Sequence, residues 1–106
     1  MKKLLQSMIA LLILGASSQA LAQEDSFELA ENLGDVLASE DLCGLHYDQD
    51  SIRKFIEAHV KADDMGFTPS LKAQTDARRE MTWSQSEKTA HCAQISRTAR
   101  AYGFTQ

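Results

Sequence analysis

The sequence predicts an all-α fold: a small single domain of about four helices closed by one disulfide. Three observations lead there. Beyond residue 22 the apolar residues recur at helical spacing, and no stretch shows the sustained alternation of a strand. Helix-start and helix-stop residues punctuate four segments. The chain holds two cysteines, Cys43 and Cys92, and its first residues read as an export signal.

That signal is residues 1–22, MKKLLQSMIALLILGASSQALA. Lys2 and Lys3 form the positive region, Leu4 to Leu14 the apolar stretch, and Ala20-Leu21-Ala22 the small-residue cleavage site. The apolar run falls short of the roughly 20 residues needed to span a bilayer, so no membrane anchor is expected to remain after processing. No cysteine follows the cleavage site to carry a lipid. Residues 23–106 are therefore expected to be one exported, periplasmic helical domain. It has 20 large apolar or aromatic side chains, enough for one modest core. At this size such a core leaves little margin of stability.

The first helix is expected from Phe27 to a stop at Gly44, with Leu29, Ala30, Leu33, Val36 and Leu37 on its apolar side. Gly34 weakens its early turns, since glycine in a helix interior costs about 1 kcal/mol relative to alanine. The second helix is the clearest. Asp48 or Asp50 caps it, Ile52, Phe55, Ile56, His59 and Val60 form its stripe, and Asp63 to Gly66 end it. His59 is expected on or beside the buried face.

Thr68 and Pro69 then read as cap and first residue of a third helix running to about Thr82. With Leu71, Ala77 and Met81 as its main apolar groups it is weakly amphipathic, and is expected to be the most distorted or mobile element. Ser84 and Glu87 make a capping box for the fourth helix, which places Lys88, Cys92, Ile95, Ala99 and Tyr102 on one face. Gly103 stops it, with Phe104 placed for the apolar contact that accompanies a glycine cap.

The stretch LCGLHY, residues 42 to 47, sets a cysteine three residues before a histidine, and the second cysteine directly follows His91. A zinc site would need Cys43, His46, His91 and Cys92. Adjacent helical residues point about 100° apart, so His91 and Cys92 converge poorly on one ion. In an oxidising compartment two cysteines pair, and the Cys43–Cys92 loop is worth roughly 4 kcal/mol in the chain-entropy model. A bonded cysteine is no nucleophile. Asp48 and Asp50 begin like a calcium loop, but Ile52 and Arg53 stand where an oxygen ligand and a glycine are required. Neither metal, nor cofactor, nor catalytic residue is indicated, and the expectation is a protein that is not an enzyme.

Without its first 22 residues the chain has 15 acids against nine bases, a net charge of -6, which argues against nucleic acid as a partner. The charge is uneven. Glu24 to Asp64 balances at -9, and Met65 to Gln106 at +3. Such a gradient either steers a cationic partner onto the acidic half or is satisfied between the two halves within the fold. Arg97 and Arg100, with Arg78 and Arg79, are either an anion patch or intramolecular partners for those acids. For a docking surface the residues indicated are Asp48, Asp50, Glu57, Asp63 and Asp64, with Tyr47 as an aromatic anchor.

The signal peptide, the short mature chain, two cysteines about 50 apart and a helix soon after the first resemble the HdeA family of periplasmic acid-stress chaperones. That resemblance implies a dimer that opens in acid and holds unfolding clients. The residues themselves point first to a non-enzymatic module that binds another exported protein, with inhibition of a cationic, lysozyme-type cell-wall hydrolase as its specific form.

Overall fold

A computed structural model describes residues 26–106; the expected signal peptide and the first residues after it lie outside the described residues. Four helices follow one another: α1 (Ser26–Leu42), α2 (Gln49–His59), α3 (Phe67–Arg79) and α4 (Gln85–Ala101), with no strand among the described residues. The all-α, four-helix expectation holds.

α1 is the spine. It buries Leu29, Ala30, Leu33, Gly34, Val36, Ala38 and Ser39, more than one face of a surface helix, because it has neighbours on two sides. α3 lies along one side and α4 meets it on another. The close approach of α3 centres on Gly34, where an added Cβ would come within 2.9 Å of the Gln74 Cβ and 3.2 Å of the Thr75 backbone nitrogen. The glycine that weakens α1 as an isolated helix thus admits its main partner. α3 is as weakly amphipathic as its sequence suggests, and its contact is made by close backbone packing rather than by large apolar side chains. Leu71 is half-buried, Ala77 and Met81 are exposed, and Phe67 and Thr75 are the residues α3 buries.

Three boundaries shift. α2 ends at His59, where Val60 turns extended, a conformation that suits a β-branched residue. The chain then reverses early enough to bring Phe67 into the core. α3 starts at Phe67 and stops at Arg79, so Pro69 is its third residue rather than its first. The first four N–H groups of a helix have no intrahelical partner, and a proline among them removes no bond.

Both glycine stops form as expected. Gly44 (φ 65°) and Gly103 (φ 85°) are left-handed. Leu45 N–H donates to the Glu40 carbonyl and Gly44 N–H to that of Asp41; Phe104 N–H and Gly103 N–H repeat the pattern onto Ala99 and Arg100. The second motif drives Phe104 inward until it is 1% exposed, among Leu33, Tyr47, Ile95 and Ala99. The Ser84–Glu87 capping box is complete in both directions. Cys43 and Cys92 are bonded, with their Cα atoms 5.3 Å apart, fastening the end of α1 to α4.

α2 is attached differently. It has no fully buried residue, and its backbone packs closely against no other helix among the described residues. It is held at its start, where Asp48 N–H donates to the Phe104 carbonyl (2.9 Å), and along its length by rings. Phe55 stacks on Tyr102 (centroids 4.6 Å) and meets Phe104 edge-on (5.5 Å). His59 is exposed rather than on the buried face, its ring lying 4.2 Å from that of Phe55.

Candidate functional site

The acidic residues singled out in the sequence lie along α2 and beyond its end. Asp48 is exposed and caps the helix, its carboxylate accepting from Ser51 Oγ (2.6 Å) and Ser51 N–H (3.2 Å). One turn on, Asp50 holds Arg53 (2.5 Å) and Lys54 (3.2 Å), and Arg53 also grips Glu57. Hydrogen bonds from Arg53 and then Lys54 keep the Asp50 carboxyl below its ordinary range. Asp50 and Glu57 are therefore clamped on either side of one guanidinium, on a single exposed ridge.

Asp63 and Asp64 sit past the other end of α2, in the turns that lead to α3, with Asp63 exposed and Asp64 half-buried. Eleven helical residues, about 16 Å, separate them from Asp48. The five acids do not converge on one point. Three of them lie on α2 or at its cap and two in the turns beyond its end.

Tyr47 is not exposed beside them. It is 5% exposed, its hydroxyl donates to the Val36 carbonyl (2.8 Å), and its ring faces Phe104 (5.7 Å). Burial, then the charges of Glu40 and Asp35, push its hydroxyl up to about 12. The expected aromatic anchor is a core residue. The left-handed Gly44 turns the chain back over α1, so the ring finds apolar neighbours and its hydroxyl a helix carbonyl.

Beside Asp64 an open groove lies between the end of α2 and the start of α3. Ile56, Val60, Phe67 and Pro69 supply apolar walls, and Met65 stands at its lip, 81% exposed. Glu57 and Asp64 line the same groove, with Lys61 its one basic residue. Sequence periodicity missed it because Met65 falls outside any helix and Phe67 begins one.

A second feature was also missed, between α1 and α4. His91 Nε2 is 2.8 Å from Ser39 Oγ and 3.9 Å from Asp35 Oδ1, and the imidazole lies flat on Trp83 (4.3 Å, 20°). Three chemistry-bearing residue types meet here, so the polarity of the bonds matters. Ser39 Oγ already donates its only proton to the Asp35 carbonyl (2.7 Å). It must then accept from His91 Nε2–H, the reverse of what an activated serine needs. Asp35 approaches the same imidazole nitrogen rather than the opposite one, so no relay exists. The cluster pins α4 to α1. A small opening above it is bordered by Asp35, Asp41, Arg78, Arg79 and Trp83, where acids of the first half face bases of the second. Arg97 lies elsewhere, with Gln94, Thr98 and Ala101 on the open surface of α4.

Metal chemistry has little to work with. The two thiolates that zinc would need are joined in the disulfide, and no group of three or more His, Cys, Asp or Glu among the described residues is placed to hold an ion. No helix of the described residues is long and apolar enough to cross a membrane. No protein-family model matches this chain, and no curated protein or solved structure matches it either.

Proposed function

We propose that the protein is a non-enzymatic binding module of the periplasm whose acidic half receives a cationic exported protein, a lysozyme-type cell-wall hydrolase being the preferred class. The observation that supports this is where the charge goes on folding. Among the described residues the ion pairs of α2 and α3 join neighbours on one helix: Asp50–Arg53, Arg53–Glu57, Asp50–Lys54 and Lys72–Asp76. The only such contact across the two halves is Asp35 with His91. Arg78 and Arg79 border Asp35 and Asp41 without reaching them as ion pairs. Most of the acidic excess of residues 26–64 is therefore not paired with bases of the second half and is available to a partner, and a surface of one sign attracts a protein of the other before contact.

The test is inhibition of a cationic muramidase by the purified, oxidised protein. Inhibition that weakens with salt and with Asp48→Lys, Asp50→Lys, Asp63→Lys and Asp64→Lys supports the reading. Binding indifferent to those reversals refutes it.

A second reading, an acid-activated chaperone, draws on the attachment of α2. The helix has no fully buried residue and is held to the core by the Asp48 N–H bond to the Phe104 carbonyl and by the rings of Phe55, Tyr102 and Phe104. Freed from the core it would uncover Ile52, Phe55, Ile56 and Val60. Suppression of client aggregation at low pH tests this, and no effect there would sink it.

A further inference from the structure

We propose that the groove between the end of α2 and the start of α3 is the docking slot for an amphipathic, cationic segment of the partner, one that presents apolar side chains flanked by Lys or Arg. This rests on the binding-module reading and gives it a location. The apolar half of the argument is the unequal cover on α2. At Phe55 its stripe lies under Tyr102 and Phe104. At Ile56 and Val60 it is half-buried and borders open space, with buried Phe67 opposite and Met65 81% exposed at the lip. Methionine is unbranched and polarisable, and a freely exposed one beside an apolar wall can close over an incoming side chain. The lip is also built. Asp64 N–H donates to the Lys61 carbonyl and Met65 N–H to that of Asp63, both at 3.0 Å, so the turn that presents Met65 exists before any partner arrives.

Charge selects the occupant. Asp64 and Glu57 line the slot and Asp63 stands beside it, against Lys61 alone. Glu57 shares Arg53, whereas Asp63 and Asp64 make no ion pair among the described residues. A second copy of this chain docked by the same face would bring the same acidic rim against it, and an anionic lipid surface would be repelled for the same reason. A segment with Lys or Arg beside leucine-like side chains meets both features at once.

The experiment uses the oxidised protein, labelled with nitrogen-15, and a synthetic amphipathic peptide of leucine and lysine, with its leucine–glutamate counterpart as control. Amide shifts on addition of the Leu/Lys peptide should cluster over residues 56–69. Met65→Glu, which alters an exposed side chain and leaves the core intact, should weaken binding by about tenfold or more, and Asp63→Lys with Asp64→Lys should do likewise. Equal binding of the Leu/Glu peptide would overturn the charge argument. Concentration-dependent shifts over residues 56–69 without peptide would overturn it in favour of a second copy. Salt-sensitive binding whose shifts gather at Asp48 and Asp50 and which ignores Met65→Glu would overturn the groove while leaving the module reading standing. Failure to bind either this peptide or any muramidase would remove both.

Discussion

The Cβ that Gly34 lacks would lie 2.9 Å from the Cβ of Gln74, closer than real Cβ atoms approach, so α1 and α3 touch where no larger residue fits. The neighbours are the Gln74 stem and the backbone of Gln74 and Thr75, none of which can swing aside. In an ordinary helix Gly→Ala stabilises by about 1 kcal/mol. Here the clash should win. Gly34→Ala is expected to lower stability by about 1–3 kcal/mol in urea denaturation, and unchanged or raised stability would mean that α3 can slide away from α1.

The disulfide closes a loop of 49 residues around a core of nine buried apolar residues. Its removal should cost about 4 kcal/mol, a large share of what a domain this size possesses. Cys43→Ser with Cys92→Ser, or reduction of the native protein, should lower the thermal midpoint strongly or abolish the helical signal in circular dichroism. A shift of only a few degrees would show that packing around Gly34 and the Trp83–His91–Ser39 contact suffices.

Tyr47 links the core to alkaline stability. Its hydroxyl ordinarily loses a proton near 10.0 and in the folded protein near about 12, because burial disfavours the anion. Below pH 10 both states hold the proton and the native advantage is complete. Between pH 10 and about 12 the unfolded chain releases it first, so stability falls with rising pH, by on the order of 2 kcal/mol in total. Tyr47→Phe should flatten that decline measured by denaturant unfolding, and should cost about 1–2 kcal/mol at neutral pH for the lost bond to Val36.

Arg53 separates stability from binding. Its partners Asp50 and Glu57 are more than half exposed, and solvent-screened pairs of this kind contribute about 0–1 kcal/mol. Arg53→Ala should leave the thermal midpoint nearly unchanged while releasing Glu57 and leaving Asp50 to Lys54 alone. Under the proposed function, affinity for a cationic muramidase should then rise severalfold at low ionic strength and return to the parent value in high salt. Weaker binding would place Arg53 itself at the interface.

The parts of this protein that are local were legible in the chain. The four helices, the glycine stops at Gly44 and Gly103, the Ser84–Glu87 box and the inward face of Cys92, Ile95 and Ala99 follow from residues a few positions apart. The acidic ridge was legible in part, because Asp48, Asp50 and Glu57 share one helix. Tyr47 was misplaced from the sequence, since a lone aromatic after a helix stop has no periodicity to say which way it turns.

What the sequence by itself determined is therefore the helical class, the glycine stops and the capping box of the last helix, the single disulfide pairing and the excess of negative charge in the first half. Tertiary structure alone decided that Gly34 is a contact rather than a weakness, that α3 rather than α2 lies along the spine, and that Met65, Ile56 and Phe67 border one groove beside Asp64. The physical reason is range. Caps, stops and stripes are fixed by hydrogen bonds and side-chain spacing within a few turns, whereas close packing depends on which two distant backbones find room to meet, and that is written at neither position alone.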